Sequence, residues 1–245
     1  MDSQLIEQMH AIGEHHWWFQ ARQQIILALL RRYERRQGPL TACDLGCGTG
    51  QMLKALAAQA FITCGMDPAP EAVEFARRRG AGDIRQGHLP DQIPFAGRHF
   101  DLVLLLDVLE HIVDDAAALA RAAELVGRDG LLICTVPAGK FLWSARDARH
   151  GHQRRYNRAG LQRLFANRGL RIEKLSYFNT LLFPIAVAHR LLARLGGFDA
   201  AATDLAVPPR LVNQLLATLF ATEKHLLSHA NLPCGLSLLC LARKT

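Results

Sequence analysis

The chain has 245 residues, of which 50% are apolar and 21% are charged, a composition typical of one globular domain with an elaboration. The formal net charge of +7 comes largely from arginine clusters, which could face nucleic acid, anionic lipid, a phosphorylated substrate or only solvent. The six cysteines contain no C-x-x-C pair, so neither a zinc cage nor a disulfide framework is indicated, and a reducing compartment is favoured. Because no apolar run approaches the ~18 residues of a membrane span and the N-terminus is unlike a secretory signal, a cytoplasmic protein is predicted.

The N-terminal segment, residues 4–34, is predicted to be helical because apolar residues recur along it at helical spacing. Two adjacent tryptophans, Trp17 and Trp18, stand in a polar stretch, and Arg22 follows about one turn later. Paired tryptophans need a surface to cover, so they could staple this helix to the domain or cap the mouth of a ligand pocket. Residues 1–37 are therefore predicted to form an N-terminal helical cap.

A glycine turn follows the first apolar run of the chain. Residues 44–50 read Asp-Leu-Gly-Cys-Gly-Thr-Gly and lead into a helical segment, which predicts a strand, a turn and a helix. Glycines here let the backbone approach a ligand and adopt positive φ. The G-x-G-x-G spacing carries no basic residue, which argues against a triphosphate loop. Asp67, about twenty residues on, lies where an acid that accepts hydrogen bonds from ribose hydroxyls is expected.

Strand and helix patterns alternate through the following hundred or so residues. This alternation predicts an α/β fold with a parallel sheet and helices on both faces. In such sheets ligands bind beyond the carboxyl ends of the strands. The buried fourth strand, residues 100–106, leads at that edge into Asp107 and the triplet Leu109-Glu110-His111.

The glycine turn, the spaced acid and the segment from Phe100-Asp101-Leu102-Val103 to Leu109-Glu110-His111 together resemble class I S-adenosylmethionine-dependent methyltransferases, over roughly residues 41–137. The segment His16-Trp17-Trp18-Phe19 with Arg22 is similar to one bacterial branch of these enzymes. The resemblance implies a Rossmann-like, seven-stranded, mostly parallel sheet with strand seven antiparallel, built from residues 38–178 and 235–245. It also implies S-adenosylmethionine as the cofactor and S-adenosylhomocysteine as its product.

The resemblance further implies a set of cofactor-binding residues. Arg22 is expected to pair with the methionyl carboxylate. Where family members commonly place an acid for the adenine amino group, this chain has His88, whose neutral imidazole could accept the same hydrogen bond, unless Asp91 or backbone groups do so. The predicted set is Trp18, Arg22, Asp44, Gly46, Cys47, Gly48, Asp67, Pro68, His88, Leu89, Leu106 and Asp107.

The loop over residues 138–156 is the most chemically loaded stretch without an assigned role, and long loops in compact domains are usually functional. His152 is the leading candidate for a general base, because an imidazole can take a proton from a hydroxyl at neutral pH. His111 is a second candidate, although local hydrogen bonds could equally satisfy a histidine at a helix start. Arginines beside aromatics suit a substrate with a flat or apolar part and an anionic part, or they could be solvated surface charges. The predicted substrate residues are Trp143, Arg154, Arg155, Tyr156 and Asn179.

Residues 179–234 separate the predicted strands six and seven and are interpreted as a helical lid. Their apolar stripe at helical spacing would suit a lipophilic substrate or contact with a membrane surface. It could instead cover the core of the domain or a partner subunit, in a monomer or a homodimer.

The sequence argues against several methyltransferase classes. It lacks the Asn/Asp-Pro-Pro-aromatic signature of enzymes that methylate base amino groups. None of its cysteines is placed to be the nucleophile that enzymes methylating the five-position of pyrimidines require. It also lacks the carboxylate pair with asparagine of magnesium-dependent catechol enzymes. Metal-independent methylation of a small, lipophilic or anionic molecule is therefore predicted, with oxygen as the favoured acceptor. The alternatives are a methyltransferase-like protein that binds the cofactor without turnover, and an RNA methyltransferase, which rests on the basic charge alone.

Overall fold

The computed structural model describes residues 3–36, 38–196 and 207–245. The strands are β1 Leu40–Leu45, β2 Phe61–Asp67, β3 Asp83–Gln86, β4 Phe100–Leu106, β5 Val126–Pro137, β6 Leu170–Phe178 and β7 Ser237–Lys244. The helices are α1 Ser3–Gly13, α2 Trp17–Tyr33, α3 Gln51–Ala57, α4 Pro70–Arg78, α5 Asp115–Glu124, α6 Ala145–Arg149, α7 Arg158–Phe165, α8 Phe183–Gly196 and α9 Arg210–His229. Short 3-10 turns span Leu109–His111 and Lys140–Leu142.

The strands form one seven-stranded sheet in the order β3-β2-β1-β4-β5-β7-β6. β1 pairs in parallel with β2 and β4, and β7 runs antiparallel to both of its neighbours, β5 and β6. The predicted Rossmann-like, mostly parallel sheet with strand seven antiparallel is therefore confirmed. Since the chain leaves β1 in one direction and returns on its other side at β4, the switch point, where ligands bind in such sheets, lies between the carboxyl ends of these two strands.

The sheet is buried on both faces, as the continuous apolar run of β4 predicts. Alternate residues of this strand point to opposite faces. Leu102 and Leu104 pack with residues of α2 and α9 on one face, and Val103 and Leu105 pack with residues of α5 and α7 on the other. Because helices cover both faces of the sheet, we expect a ligand to bind at its carboxyl edge, where β1, β2, β4 and β5 end.

The N-terminal segment was predicted as one helix, and this was wrong: α1 ends at Gly13 and α2 begins at Trp17. Gly13 is a poor helix residue, and a Cβ there would lie 2.0 Å from the side chain of Gln51. His16 caps the second helix, because its Nδ1 accepts a hydrogen bond from the Trp18 backbone N–H at 3.2 Å. The break allows α1 to pack beside α4, while α2 packs against the sheet.

The segment after β5, predicted as a loop, is partly helical. The predicted loop over residues 138–156 contains a 3-10 turn and α6, whose start carries a capping box between Ser144 and Asp147. β5 begins at Val126, which pairs with Phe100 of β4.

The insertion between β6 and β7 contains α8 and α9, and α9 belongs to the core. Phe220 of α9 is fully buried, stacks on Phe178 of β6 and meets the ring of Trp17 of α2 edge to face. The stripe of α9 thus covers the domain, one of the two outcomes weighed from the sequence. Leu211 and Leu215 of the same helix remain exposed. No helix in the described part of the chain is long and apolar enough to cross a bilayer.

Replacing Phe220 with alanine tests whether α9 is part of the core. The substitution removes a fully buried ring, so we expect the free energy of unfolding to fall by about 3–5 kcal/mol, measured by urea denaturation. Leu211→Ala, at a position 80% exposed, is the matched control and should change it by less than about 0.5 kcal/mol. A loss below about 1 kcal/mol for Phe220→Ala would mean that α9 opens independently of the sheet.

Candidate active site

The glycine turn after β1 lies against β2 at the carboxyl edge. The backbone N–H groups of Gly46 and Cys47 both donate to the Met66 carbonyl, at 2.7 and 2.9 Å. Gly46 has a φ of +89°, and a Cβ there would lie 2.6 Å from Cγ2 of Val108. A Cβ on Gly48 would instead meet no protein atom within 4 Å. The turn therefore presents bare backbone to open space, as a seat for a ligand requires.

Asp67 ends β2 and holds the glycine turn in place. Its Oδ2 accepts a hydrogen bond from the Gly48 N–H at 2.9 Å, and its Oδ1 accepts one from the Ala69 N–H at 3.0 Å. Burial raises the pKa of this carboxyl, and the two hydrogen bonds oppose the rise. Each oxygen keeps a lone pair that a ribose hydroxyl can use. The sequence indicated the ribose role but not this structural one.

Asp44, at the carboxyl end of β1, is 2% exposed, and its Oδ1 has no hydrogen-bond partner among the described residues. Burial raises its pKa to about 7, with Arg22 lowering it and Asp67 raising it further. A buried carboxyl without a full set of partners is costly, and a cationic ligand would offset that cost. S-adenosylmethionine, the cofactor expected from the sequence, carries an ammonium and a sulfonium group, so a buried carboxyl at the position of Asp44 fits it.

Arg22 connects the N-terminal cap to the carboxyl edge. Its guanidinium forms an ion pair with Asp107, which follows β4 with a φ of +59°, and it lies over the ring of Trp18, 4.4 Å from the centroid. Trp17 points elsewhere: its backbone N–H donates to Asn213 of α9 at 3.0 Å. Trp17 therefore staples α2 to α9, one of the two roles weighed from the sequence, whereas Trp18 lies beside Arg22 and its contact with the cofactor stays a prediction.

The two residues predicted for the adenine, His88 and Leu89, lie after β3. His88 is exposed, and its backbone N–H and carbonyl exchange hydrogen bonds with the backbone of Gln92, at 2.8 and 2.9 Å. Leu89 is 8% exposed, as is Leu106 at the end of β4, and Pro68 lies on the surface after β2. Contact of His88 and Leu89 with adenine, and of Leu106 and Pro68 with the cofactor, stays a prediction.

Asp147 and His152 form a hydrogen-bonded pair in the loop after β5. Nδ1 of His152 lies 3.0 Å from Oδ1 of Asp147, which is completely buried. Ser144 and Arg155 also donate to this carboxylate, through the Ser144 backbone N–H at 2.8 Å and the Arg155 Nε at 2.8 Å. Burial disfavours the ionised form, but the hydrogen bonds from His152 and Arg155 outweigh it and hold the pKa of Asp147 below its usual range.

His111 and Glu110 bring the end of β4 next to this pair. The rings of His111 and His152 meet edge to face with centroids 4.8 Å apart. Burial, with His152 nearby, lowers the pKa of His111 to about 4, so its imidazole is neutral at neutral pH. Glu110 is 1% exposed, and burial together with the charge of Asp107 raises its pKa. The structure thus joins the two histidines that the sequence proposed for catalysis.

Arg154, Arg155 and Tyr156, predicted to contact substrate, have internal partners. Arg154 pairs with Asp115 at 2.9 Å, and the Tyr156 hydroxyl donates to the same carboxylate at 2.7 Å. Arg155 is buried and also donates to the Ala138 carbonyl at 3.1 Å. These partners lie far along the chain or across the loop, so local sequence does not reveal them.

The remaining predicted substrate residues, Trp143 and Asn179, differ in exposure. Trp143 is 39% exposed after the second 3-10 turn, close in sequence to the more exposed Phe141. Asn179 follows β6 with a φ of +57°, is 2% exposed, and its Oδ1 has no hydrogen-bond partner among the described residues. Trp143 can therefore meet a ligand from solvent, whereas Asn179 could do so only from inside the fold.

The raised pKa of Asp44 predicts a pH-dependent stability. An unfolded aspartate releases its proton near pH ~4, whereas Asp44 in the folded protein without ligand releases it at about 7. Between these values the folded state holds the extra proton, so stability is lost as the pH rises through this window. Asp44→Asn should therefore raise the melting temperature, measured by calorimetry, by several degrees at pH 8 and by much less at pH 5.

Asp83→Asn is the control, because Arg85 lowers the pKa of Asp83, and it should stabilise the protein at neither pH. An equal effect of Asp44→Asn at both pH values would contradict a buried carboxyl that ionises near neutrality.

Comparisons with known proteins agree with this geometry. A family model described as a methyltransferase domain matches residues 16–175. A ubiquinone biosynthesis O-methyltransferase of Azorhizobium caulinodans is 38% identical over 99 residues, which cover 38% of this chain and 39% of the relative. A protein of the same name from Methylobacterium nodulans is 36% identical over 108 residues, covering 41% and 43%. The aligned part spans less than half the length of these curated relatives.

Two solved structures share the fold. A Haloferax volcanii putative methyltransferase, in complex with the Trm112 methyltransferase activator, is 19% identical with a TM-score of 0.62, covering 96% of this chain and 92% of that one. Magnesium protoporphyrin IX methyltransferase from Synechocystis, with bound S-adenosylhomocysteine, is 16% identical with a TM-score of 0.57, covering 92% and 83%. At such identities the likeness concerns the fold alone.

The family match covers more than half of the chain, and it includes the glycine turn, Asp67 and the triplet after β4. The predictions of a class I fold and of S-adenosylmethionine as the cofactor are thereby confirmed. The chain belongs to the methyltransferase domain family and is a class I S-adenosylmethionine-dependent methyltransferase.

Proposed function

We propose that this chain transfers a methyl group to a hydroxyl oxygen of a small, largely apolar molecule, with His152 accepting the hydroxyl proton and Asp147 holding His152 in position. The observation that carries the proposal is the hydrogen bond between Nδ1 of His152 and Asp147, beside His111 at the carboxyl edge. When bound, S-adenosylmethionine supplies an electrophilic methyl group. The tasks left to the protein are alignment of the acceptor and removal of its proton.

The buried carboxylate of Asp147 fixes the orientation of the base. Since Asp147 accepts from Nδ1, the Nε2 atom of His152 is the one with a lone pair for a proton. The backbone N–H of Gln153 donates to the Glu110 carbonyl at 2.6 Å, which ties the residue after His152 to the end of β4. The imidazole is thus held between a rigid loop and the edge at which the cofactor is expected.

The surroundings of the site favour an apolar acceptor. Phe141, Trp143 and Leu181 are 60%, 39% and 38% exposed, and Phe141 meets Phe183 of α8 edge to face with centroids 6.5 Å apart. These residues lie on the segments that follow β5 and β6 at the carboxyl edge. We therefore propose that the start of α8, within the lid predicted over residues 179–234, borders the substrate.

The chemical class of the acceptor follows from the same contacts. Because Arg154 and Arg155 have internal partners, an anionic group on the acceptor gains less from them than the sequence suggested. The names of the curated relatives, ubiquinone biosynthesis O-methyltransferases, support oxygen as the acceptor atom and a quinone-like ring as the apolar part.

Replacing His152 with glutamine tests the proposed base. Without a proton acceptor, methyl transfer to catechol from labelled S-adenosylmethionine should slow by about 10²–10⁴-fold. The affinity for S-adenosylhomocysteine, measured by calorimetry, should stay within about twofold. The defect should shrink with 4-nitrocatechol, whose hydroxyl ionises more readily and depends less on a base.

His150→Gln is the matched control, because this ring lies 5.9 Å from that of His152 but outside the hydrogen-bonded pair. Asp147→Asn should slow methyl transfer in the same acceptor-dependent way as His152→Gln, since it acts through the orientation of the imidazole. An unchanged rate in His152→Gln, or an equal defect for both acceptors, would remove His152 from the role of base.

A further inference from the structure

Glu110, His111 and His152 form a compact group of potential metal ligands. One nitrogen from each imidazole and one carboxylate oxygen lie within 4.8 Å of one another. From this geometry we infer that the three residues bind a divalent transition-metal ion of the zinc class. No metal is predicted from the sequence, which has neither a C-x-x-C pair nor the carboxylate pair with asparagine of magnesium-dependent catechol enzymes. Glu110 and His111 follow β4, whereas His152 lies in the loop after β5.

Glu110 gives independent support, because its carboxylate is buried and incompletely satisfied. The residue is 1% exposed, and its Oε2 has no hydrogen-bond partner among the described residues. Buried oxygens without a hydrogen-bond partner are rare in native proteins, and binding of an ion by Oε2 of Glu110 would explain this one. A divalent cation between Glu110 and the two imidazoles would supply the missing contact and offset the cost of burying the charge.

The contact behind His152 is the one that a metal-binding histidine needs. Its Nδ1 is directed to Asp147 at 3.0 Å, so it keeps Nε2 for an ion and its orientation is fixed from behind, as in the carboxylate–histidine–metal arrangement. His111 lies on the short turn after β4, with its ring edge to face against that of His152. Asp147 is itself held by Ser144 and Arg155, so this support is rigid.

The donor set indicates which ion is preferred. Two imidazole nitrogens and one carboxylate oxygen match the three protein ligands of catalytic zinc sites, which leave a fourth position open. Magnesium prefers an all-oxygen octahedral shell and is disfavoured by two nitrogen donors. Binding of the ion can be tested without any assumption about the reaction, but its role in catalysis rests on the proposed function. The Nε2 atom that His152 would give to the ion is the one that accepts the proton in the metal-free enzyme. With the ion bound, His152 would therefore act as its ligand, and the ion would ease loss of the acceptor's hydroxyl proton to solvent.

The test is calorimetric titration of untagged, chelator-treated and dialysed protein with zinc chloride and, separately, with magnesium chloride. We expect one equivalent of Zn²⁺ to bind and no saturable binding of Mg²⁺ at the same concentrations. Glu110→Gln, His111→Gln and His152→Gln should each weaken Zn²⁺ binding by at least about 10-fold. His150→Gln, which removes a neighbouring histidine outside the group, should leave it within about twofold. Titration with Co²⁺ should give visible absorption bands in wild type that are lost in the three variants.

Thermal unfolding and S-adenosylhomocysteine binding of every variant serve as folding controls. Substoichiometric Zn²⁺ binding in wild type, or binding that persists in all three ligand variants, would overturn the inference. If one ion binds through these residues while no acceptor is methylated, the metal site stands and the proposed function fails. If methyl transfer proceeds without bound metal and chelators leave its rate unchanged, the proposed function stands and the catalytic role of the ion fails.

Discussion

The constraint on which the site depends is the burial of two carboxyl groups with too few partners beside the switch point of the sheet. Asp44 and Glu110 each bury an oxygen that lacks a partner among the described residues, and Asp107 pairs with Arg22, which reaches it from the N-terminal cap. Other buried polar atoms without a partner occur elsewhere among the described residues, one of them on Glu223 of α9, but Asp44 and Glu110 lie at the edge where a ligand would supply the missing contacts. These buried carboxyl groups lower the stability of the fold, and they leave a binding site suited to a cationic cofactor.

The loop after β5 follows the opposite principle, because its charges are largely paired with one another. Asp147 is the centre: His152, Arg155 and Ser144 all donate to its buried carboxylate, and Arg154 and Tyr156 meet on Asp115. A loop tied in this way can hold one imidazole at a defined position beside β4, as a site for proton transfer or metal binding requires. The arginines predicted to bind substrate also tie this loop together, and their contact with substrate stays a prediction.

Much of the fold could be predicted because its signals are local. The apolar runs of β1, β2 and β4, the glycine turn and Asp67 each encode their structure within a few residues. The seven-stranded, mostly parallel sheet with strand seven antiparallel follows from the family resemblance. The errors concern long-range contacts or weak caps. The break at Gly13 depends on Gln51 of another helix and on a histidine cap, which is uncommon. The partners of Arg155 and the meeting of Glu110 with His152 exist only after the chain has folded.

The arrangement of the glycine turn, Asp44 and Asp67 makes the carboxyl edge between β1 and β4 the expected binding site of the adenosyl donor. Calorimetric titration of the purified protein with S-adenosylhomocysteine is the direct test. We expect one-to-one saturable binding that is lost when Gly48 is replaced by valine, since that side chain would fill the open space above the turn. Absence of binding to wild type, or binding that Gly48→Val leaves unchanged, would contradict it.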